Sequence, residues 1–384
     1  MGRKVILFRK VQEASINVKI LKYLDTLDRG GAEMQVLDIC RNATRFGLDI
    51  TLATRGGTLE PEFEAAGIEI IRLERRFPID PKLVRDLRRI IRERSIDIVH
   101  GYQSVDGLHL HLAARGMANV REVLSFQGFV QDAKNRLVAK FLLPRVDANI
   151  VVSRWLQDWL ARERGLRFGA NTHVIYNGAD PERLLPTGRS IKEELGIPEE
   201  MRLVGMVGNF YRDARKDQLT VVKALGEVFD KVADVHCVFA GKVEAGAERK
   251  FEACKEFVRY RGIANRVHFV GGRTDVPDIL SELDVFIFSS LHEGLPVAVS
   301  EAMLAGVPMA VSNIGPHIEA TNNGEFGRIF PAKDHRALAA AVIDLLGSKK
   351  AADDPALRAR SHAAANFSID AHVGNLVRLY QQIR

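Results

Sequence analysis

The sequence predicts an α/β protein made of two doubly wound domains, each built on a parallel sheet. With 384 residues, the chain is longer than a single hydrophobic core normally supports. Short apolar runs rich in β-branched residues alternate with helical patterns, which is typical of repeated βαβ units. The runs form two series, so each series predicts one sheet that helices cover on both faces.

The strands of the first domain are predicted in the runs "VKILKYLDTL", "LDITLAT", "IEIIRL", "DIVHGY", "EVLSF" and "ANIVVS". Those of the second are predicted in "MRLVGMVGNF", "DVHCVFAG", "RVHFVGG", "DVFIFSS" and "VPMAVS". Proline and glycine interrupt this alternation near residues 180–200, where we expect a linker. We therefore predict domains at residues 1–185 and 186–365, followed by a C-terminal helix at 366–384 that packs back toward the first domain.

The composition is that of a folded globular protein, because 46% of the residues are hydrophobic and 27% are charged. No apolar stretch approaches the roughly 20 residues needed to span a bilayer, and the start "MGRKVILFRKVQEAS" lacks the apolar core of a secretion signal. We expect a cytoplasmic protein. The three scattered cysteines indicate neither a disulfide framework nor a zinc site.

The net charge of +6 is concentrated in the first half of the chain. A predicted helix at residues 81–97 contributes much of it, with apolar residues on one face and arginines on the remainder. Two interpretations stay open for its basic face. It is either an ordinary solvated surface or a docking surface for an anionic membrane, which would make the protein peripheral on the inner face of the cytoplasmic membrane.

The segment "SSLHEGLPVAVSEAMLAGVPMAVS", residues 289–312, holds two carboxylates in an apolar setting. Its first residues end a predicted strand, and Pro296 suits the first position of a helix that continues to Gly306. Backbone amides at the start of that helix favour an anion such as a phosphate. Glu293 and Glu301 can accept hydrogen bonds from the hydroxyl pairs of a ribose or hexose. The alternative is a surface helix whose glutamates have no ligand.

The stretch "EGLPVAVSEAMLAGVP" resembles the E-x-seven-E signature of the retaining glycosyltransferases of family four, which have the GT-B fold of two facing Rossmann-like domains. Further similar segments follow the family's order and cover nearly the whole chain from Lys19: "DRGGAEMQ" at 28–35, "ANIVVSRWLQDWL" followed by "VIYNGAD" at 174–180, "VGMVGNFYRDARKDQL" at 204–219 and "VGGRTDVPDILSELDVFIFSS" at 270–290.

The resemblance implies a role for each matching residue. Glu301 would bind the ribose hydroxyls of a nucleotide-sugar donor, and Glu293 the hydroxyls of the transferred sugar. Lys216 would bind phosphate, and the Gly30–Gly31 turn would close over the diphosphate. The remaining donor-binding positions that it implies are Gly294, Leu295, Pro296 and Val297 at the helix start, Arg273 in the segment facing the base, and Asn177 in "VIYNGAD".

Two positions depart from the family pattern. Asn209 stands where the family usually has an arginine, so Arg212 or Arg215 is expected to supply that charge. Gln127 stands where the family commonly has a histidine, and a glutamine can position a substrate but cannot carry a proton. His100, after a predicted strand, is a further candidate for the acceptor side.

Taken with the resemblance, these residues predict transfer of a hexose-type sugar to an acceptor hydroxyl, with retention and with Glu293, Lys216 and Gln127 as catalytic residues. The donor would be a UDP-sugar or a GDP-sugar, and the acceptor a sugar or lipid-linked sugar in cell-surface polysaccharide or glycolipid synthesis. No metal spacing is found, and we expect neither a required cofactor nor a nucleic-acid partner.

Two other classes are considered. A catalytically silent scaffold or sensor that keeps the donor site is favoured by Asn209 and Gln127. A dehydrogenase is disfavoured because no G-x-G-x-x-G follows an early strand.

Overall fold

The computed structural model describes residues 17–28, 30–130 and 132–384. Residues 1–16, and Arg29 of the glycine motif, lie outside the described residues. The chain divides into two compact units, unit 1 with Met1–Gly178 and Asn366–Arg384, and unit 2 with Ala179–Ala365.

The division lies a few residues before the predicted boundary between residues 185 and 186. The residues just after position 178 belong to unit 2 because they form ion pairs and hydrogen bonds with its other residues. Arg183 pairs with Glu301 at 2.7 Å, and the backbone N–H of Thr187 donates to Asp278 Oδ1 at 2.7 Å. The segment predicted as a linker is therefore tied to the second unit.

Unit 1 is a parallel sheet with helices on both faces. Its strands are β1 (Val18–Tyr23), β2 (Leu48–Thr54), β3 (Glu69–Arg72), β4 (Ile98–Gly101), β5 (Arg121–Phe126), β6 (Ala148–Val151) and β7 (Thr172–Val174). Its helices are α1 (Gly31–Asn42), the 3-10 helix Ala43–Phe46, α2 (Glu60–Ala65), α3 (Pro81–Glu93), α4 (Ser104–Ala114), α5 (Ala133–Leu142) and α6 (Arg154–Arg164). The strand order is β3-β2-β1-β4-β5-β6-β7, and all pairs are parallel.

Alternation along β1 shows why this sheet is covered on both faces. Val18 and Ile20 point into one hydrophobic cluster, whereas Leu21 and Tyr23 point into another. Successive side chains of a strand face opposite sides of a sheet, so an apolar run of this kind needs a core on each side.

Unit 2 repeats the architecture. After the short helix α7 (Ile191–Glu194), its strands are β8 (Arg202–Val207), β9 (Val235–Ala240), β10 (Val267–Gly271), β11 (Val285–Phe288), β12 (Met309–Ser312) and β13 (Arg328–Phe330). Its longer helices are α8 (Gln218–Lys231), α9 (Glu248–Tyr260), α10 (Val276–Glu282), α11 (Val297–Ala305), α12 (Gly315–Ala320), α13 (His335–Gly347) and α14 (Lys349–Asn366), which ends at the division between the units. The strand order is β10-β9-β8-β11-β12-β13, again entirely parallel. The predicted pair of doubly wound domains with parallel sheets is thus confirmed.

The C-terminal helix α15 (Ile369–Ile383) belongs to unit 1. Its apolar side joins the cluster that contains Ile20, and it contributes Val373, Leu376 and Tyr380. Gly178 allows this close approach, because a Cβ there would lie 2.3 Å from the carbonyl oxygen of Ser368. The end of the chain is therefore part of the first core.

The predicted amphipathic helix is α3, which ends earlier than expected. Its apolar residues are buried in the core of unit 1, so they are not available to a membrane: Leu83, Leu87, Ile90 and Ile91. Arg88 donates to carbonyl groups at the end of α4, whereas Lys82, Arg85, Arg89 and Arg92 stay exposed. If this helix docks on a membrane, it must do so through its exposed positive charges, because its apolar face is buried in unit 1.

Within the described ranges, no helix is both long and apolar enough to cross a bilayer. Cys40, Cys237 and Cys254 are buried and free.

Candidate functional site

The candidate site of unit 2 lies where its sheet changes winding direction. Strands β8 and β11 are neighbours, but the chain leaves β8 toward β9 on one side and β11 toward β12 on the other. The loops that follow two such strands diverge and leave a crevice at the carboxyl edge of the sheet. Here the two loops are residues 208–217 and 289–296.

Lys216 and Glu293 meet across this crevice. The Lys216 ammonium donates a short hydrogen bond to Glu293 Oε1, and the hydroxyl of Ser290 donates to the same oxygen at 2.8 Å. The ammonium also lies over the ring of Phe288, 4.0 Å from its centre. Burial lowers the pKa of Lys216, and the carboxylate of Glu293 acts in the opposite direction. The structure thus brings two of the predicted catalytic residues together.

Helix α11 begins directly after this pair. Pro296 is its N-cap residue and Gly306 its left-handed C-cap, with φ at 71°, so the helix is one residue shorter at each end than the sequence predicts. Leu295 is buried and follows the predicted contact Gly294, while the predicted contact Val297 is the first residue of α11. The first amides of α11 have no acceptor within the helix itself, as at any helix start, and can serve an anion.

Glu301 lies on the second turn of α11 and is only 9% exposed. Arg183 donates from Nη2 to its Oε1 at 2.7 Å. A buried carboxylate needs such a partner, because its charge has lost the solvation of water. Sequence reasoning missed Arg183, which is remote in the chain and lies in no recognisable motif.

The residues expected to supply positive charge are arranged differently from each other. Arg215 forms hydrogen bonds of 2.6–2.9 Å with Asp213 and lies over the ring of Tyr211. Arg212 is exposed beside Gly246. Asn209 joins the loop after β9, since its Oδ1 accepts from the Lys242 backbone at 3.1 Å and its Nδ2 donates to Glu244 at 3.2 Å. Asn209 therefore braces two loops.

Arg273 is held by two carboxylates. It donates to Glu194 at 2.6 and 2.7 Å and to Asp275 at 2.6 and 2.8 Å. These hydrogen bonds raise the pKa of the guanidinium above its usual range. The side chain connects α7 to the segment before α10, so its charge is already balanced within unit 2.

His317 is a buried polar residue near Lys216 and Glu293 that sequence reasoning missed. Its Nδ1 lies 2.9 Å from the carbonyl oxygen of Ser312, to which it can only donate, and its ring lies against Phe288. Burial lowers the pKa of His317 to about 4, although Glu293 favours the charged form. Its Nε2 has no hydrogen-bond partner in the described part of the chain.

The predicted site residues of unit 1 do not form one cluster of contacts. Gln127 follows β5 and Asn177 follows β7, and in each a side-chain oxygen is buried without a partner among the described residues. Gly30 caps α1, which Gly31 begins. A Cβ at Gly30 would lie 2.5 Å from Glu33 Oε2, so a carboxylate lies over the turn that the resemblance assigns to a diphosphate.

His100 does not line an open surface, which corrects the expectation for this residue. It is fully buried on β4, where its Nδ1 lies 2.8 Å from the Tyr380 hydroxyl and its Nε2 lies 2.7 Å from Ser125 Oγ. The buried Lys22 ammonium is 3.4 Å away. Helix α15 supplies Tyr380 and covers the histidine, which is therefore a structural residue of the unit 1 core.

No group of three or more His, Cys, Asp or Glu side chains suited to a metal ion occurs in residues 17–28, 30–130 and 132–384.

Comparison with known proteins agrees with this arrangement. Residues 29–183 match the model of the family described as Glycosyltransferase Family 4. Residues 201–348 match the model described as Glycosyl transferases group 1. The first match lies in unit 1 except for residues 179–183, and the second lies within unit 2.

The chain is 27% identical over 250 residues to the lipopolysaccharide core biosynthesis mannosyltransferase LpsB of Rhizobium meliloti, covering 64% of this chain and 68% of that protein. It is 25% identical over 327 residues to an Escherichia coli UDP-Gal:alpha-D-GlcNAc-diphosphoundecaprenol alpha-1,3-galactosyltransferase, covering 79% and 78%. Among solved structures, Anabaena Alr3699/HepE in complex with UDP and glucose superposes with a TM-score of 0.79 at 20% identity, covering 95% and 98%.

Proposed function

We propose that this chain, which belongs to glycosyltransferase family 4, transfers a hexose-type sugar from a nucleoside diphosphate sugar to an acceptor hydroxyl with retention at the anomeric carbon. One observation carries the proposal. A buried lysine and a glutamate meet at the switch point of unit 2, directly before the N-terminus of α11. This arrangement offers positive charge, backbone amides and hydroxyl acceptors within one crevice.

The diphosphate is the group that Lys216 and the first turn of α11 would bind. A helix N-terminus is worth about 0.3 to 2 kcal/mol to an anion, which is small beside the roughly 8 kcal/mol that an enzyme must supply. The side chain of Lys216 is only 9% exposed, and charges interact more strongly in such a position than in water. It is therefore proposed as the main group that stabilises the leaving diphosphate.

Diphosphate binding would free Glu293 from its contact with Lys216, so that its carboxylate could accept hydrogen bonds from the transferred sugar. Glu301 would bind the ribose hydroxyls through the oxygen that Arg183 leaves available. Arg183 also balances the charge of Glu301, which reduces its repulsion of the diphosphate. The backbone of residues 294–297 completes the proposed donor site.

The proposed reaction needs no nucleophile from the protein. The leaving phosphate accepts the proton of the incoming hydroxyl on the same face of the sugar, which preserves the anomeric configuration. In unit 1, Gln127, Asn177, Gly30 and Gly31 remain proposed substrate-binding residues, and in unit 2 so do Asn209, Arg212, Arg215 and Arg273. For the last two, an ion pair would first have to be shared or exchanged.

UDP-sugar is the proposed donor, since the Anabaena neighbour is in complex with UDP and glucose, and a GDP-sugar is the alternative. We propose a sugar or lipid-linked sugar acceptor in surface polysaccharide or glycolipid synthesis, as the names of the two relatives suggest. The exposed arginines of α3 are compatible with a peripheral place on an anionic membrane surface.

Calorimetric titration with UDP, GDP and ADP tests the donor site. The wild type should bind one nucleotide selectively, and Glu301→Ala should weaken that binding about 10- to 100-fold, as loss of hydrogen bonds to a charged acceptor predicts. Glu252→Ala, an exposed glutamate of α9, is the matched control and should bind normally. Binding of none of the nucleotides to folded wild-type protein would refute the proposal.

A silent nucleotide-sugar sensor is the second candidate, favoured by Asn209 and Gln127 at positions where the family has charged or titratable residues. Release of nucleotide from the bound donor separates the two candidates. The enzyme should turn over, with the first-formed anomer retained by NMR, and Lys216→Gln should slow turnover by about 100-fold or more. Nucleotide binding without any turnover would instead support the sensor.

A further inference from the structure

Unit 1 contains a pocket at the switch point of its own sheet. Strands β1 and β4 are neighbours, but the chain leaves β1 toward β2 and β4 toward β5, on opposite sides. The loops after both strands, together with the first turns of α1 and α4, enclose a cavity of about 20 Å³. That volume is enough for one water-sized group. The position is the one at which doubly wound sheets bind ligands.

The wall of this pocket is acidic. Asp25, Glu33 and Asp106 line it, with Tyr102 and Ala32. Arg75 pairs with two of the carboxylates, through Nη2 to Asp25 at 3.0 Å and through Nη1 to Asp106 Oδ1 at 3.0 Å. One guanidinium therefore faces two carboxylates, while Glu33 adds a third carboxyl group. An anionic ligand would meet repulsion here.

Asp106 in the pocket wall has a carboxylate oxygen without a partner among the described residues. Asp106 is 1% exposed, and its Oδ2 makes no hydrogen bond to any described residue, although its Oδ1 bonds to Arg75. A carboxylate oxygen can only accept, so the missing group is a donor. A buried acceptor left without a donor costs about 1 to 3 kcal/mol. The hydroxyl of Tyr23, buried beside this cluster, also has no partner among the described residues.

The pKa shifts of the carboxyl groups in the pocket agree with the need for a hydrogen-bond donor. Burial raises the pKa of Asp106 to about 7, although Arg75 acts in the opposite direction. Burial also raises the pKa of Glu33, which its own backbone amide only partly offsets. The guanidinium of Arg75 thus only partly offsets the burial of Asp106, and a bound hydrogen-bond donor would further favour its carboxylate form.

We propose that this pocket binds a hydrogen-bond-donating group of the sugar acceptor, a hydroxyl or a protonated amine, and excludes phosphate and carboxylate groups. The inference rests on the proposed function, because it states the chemical class of acceptor that the transferase would use. Oδ2 of Asp106 accepts from the bound group, while Arg75 keeps the carboxylate in place. The small volume admits one donor group at a time and sets the orientation of the rest of the acceptor outside.

Saturation-transfer NMR with glycerol, ethanolamine and acetate tests the pocket. These probes are similar in size and present a hydroxyl, a protonated amine and an anion. Glycerol or ethanolamine should receive saturation from the wild type, whereas acetate should not. Asp106→Asn should reduce the signal at least fivefold, since the amide carries no charge and places N–H groups in the pocket.

A second variant guards against a loss of signal caused only by altered folding around Arg75. Ala32→Leu keeps every carboxylate but fills the cavity from a half-buried position on α1, and should also abolish the signal. Asp80→Asn is the matched control, because Asp80 is a buried carboxylate of the same unit that caps α3 outside the pocket. Its signal should equal that of the wild type.

Equal signals from glycerol and ethanolamine in wild type and Ala32→Leu would overturn the inference, and so would a dominant signal from acetate. Titration of the same samples with UDP, GDP and ADP distinguishes this failure from failure of the proposed function. Retained nucleotide binding without a pocket signal refutes the pocket alone. Absence of binding by all three nucleotides refutes the donor site, while the probe signals still decide whether the pocket takes a donor group.

Discussion

The guanidinium of Arg183 donates to the Glu301 carboxylate at 2.7 Å, although the two residues are 118 positions apart in the chain. Only 23% of the arginine side chain and 11% of the glutamate side chain are exposed. The pair joins the first residues of unit 2 to α11, so one contact both holds the linker segment and presents a proposed ribose-binding carboxylate.

Removal of this pair's arginine should destabilise unit 2. Arg183→Ala leaves a mostly buried carboxylate without its partner, and we expect a loss of about 1 to 3 kcal/mol in the free energy of unfolding. Urea denaturation of Arg183→Ala, Glu301→Gln and the double variant measures the coupling energy. The more exposed pair of Arg202 and Asp234 is the matched control and should couple by less than about 1 kcal/mol. Equal coupling in both pairs would contradict the prediction.

Lys22 should make the stability of unit 1 depend on pH. Its side chain is fully buried, and burial lowers its pKa from 10.5 to about 8. The folded state therefore binds fewer protons than the unfolded state between these values. The penalty for the buried charge is complete below pH 8 and disappears as the pH rises toward 10.5.

Comparison with Lys22→Met isolates this effect, because both proteins share every other titrating group. The variant lacks the buried charge, so its stability advantage over wild type should shrink by about 2 kcal/mol between pH 7 and pH 9.5. Denaturant unfolding at several pH values measures the difference. The exposed Lys231→Met is the control, and its difference from wild type should stay constant. A constant difference for Lys22→Met as well would refute the prediction.

Gly178 should not tolerate a side chain. A Cβ at this position would lie 2.3 Å from the carbonyl oxygen of Ser368, and backbone cannot retreat as a flexible side chain can. Gly178→Ala should therefore cost about 1 to 3 kcal/mol through overpacking. Thermal or urea unfolding measures the loss. Gly347→Ala, where a Cβ meets no atom within 4 Å, is the control and should leave stability unchanged or slightly higher. An unaffected Gly178→Ala protein would show that the backbone relaxes freely there.

The fold could be predicted because its signals are local. The alternation of β1 between two clusters follows from the order of Val18, Ile20, Leu21 and Tyr23 in the chain. The start of α11 was predictable to within one residue from Pro296, and its end from Gly306. Each signal depends on neighbours within a few residues, so it can be recognised before any tertiary contact is known.

The environment of individual side chains was less predictable. His100 is a candidate for the acceptor side by its position at the end of a strand, but Tyr380, from the other end of the chain, covers it in the core. The sequence predicts that Arg215 offers positive charge and that Arg273 lies in the segment facing the base. In the structure, Asp213 already accepts from Arg215, and Glu194 with Asp275 already accepts from Arg273. The type of a residue limits which groups it can bind, but only the folded structure determines which partner lies next to it.

The sequence by itself determined the two doubly wound domains and, through its motifs, the resemblance to family-four glycosyltransferases. Only the tertiary structure decided that Lys216 contacts Glu293, that Arg183 balances Glu301, and that one oxygen of Asp106, in an acidic pocket, accepts no hydrogen bond from the described residues. The physical reason is the separation along the chain of the residues that interact. Periodicity acts between residues a few positions apart, whereas burial and charge pairing depend on which distant segments the folded sheets bring to the same edge.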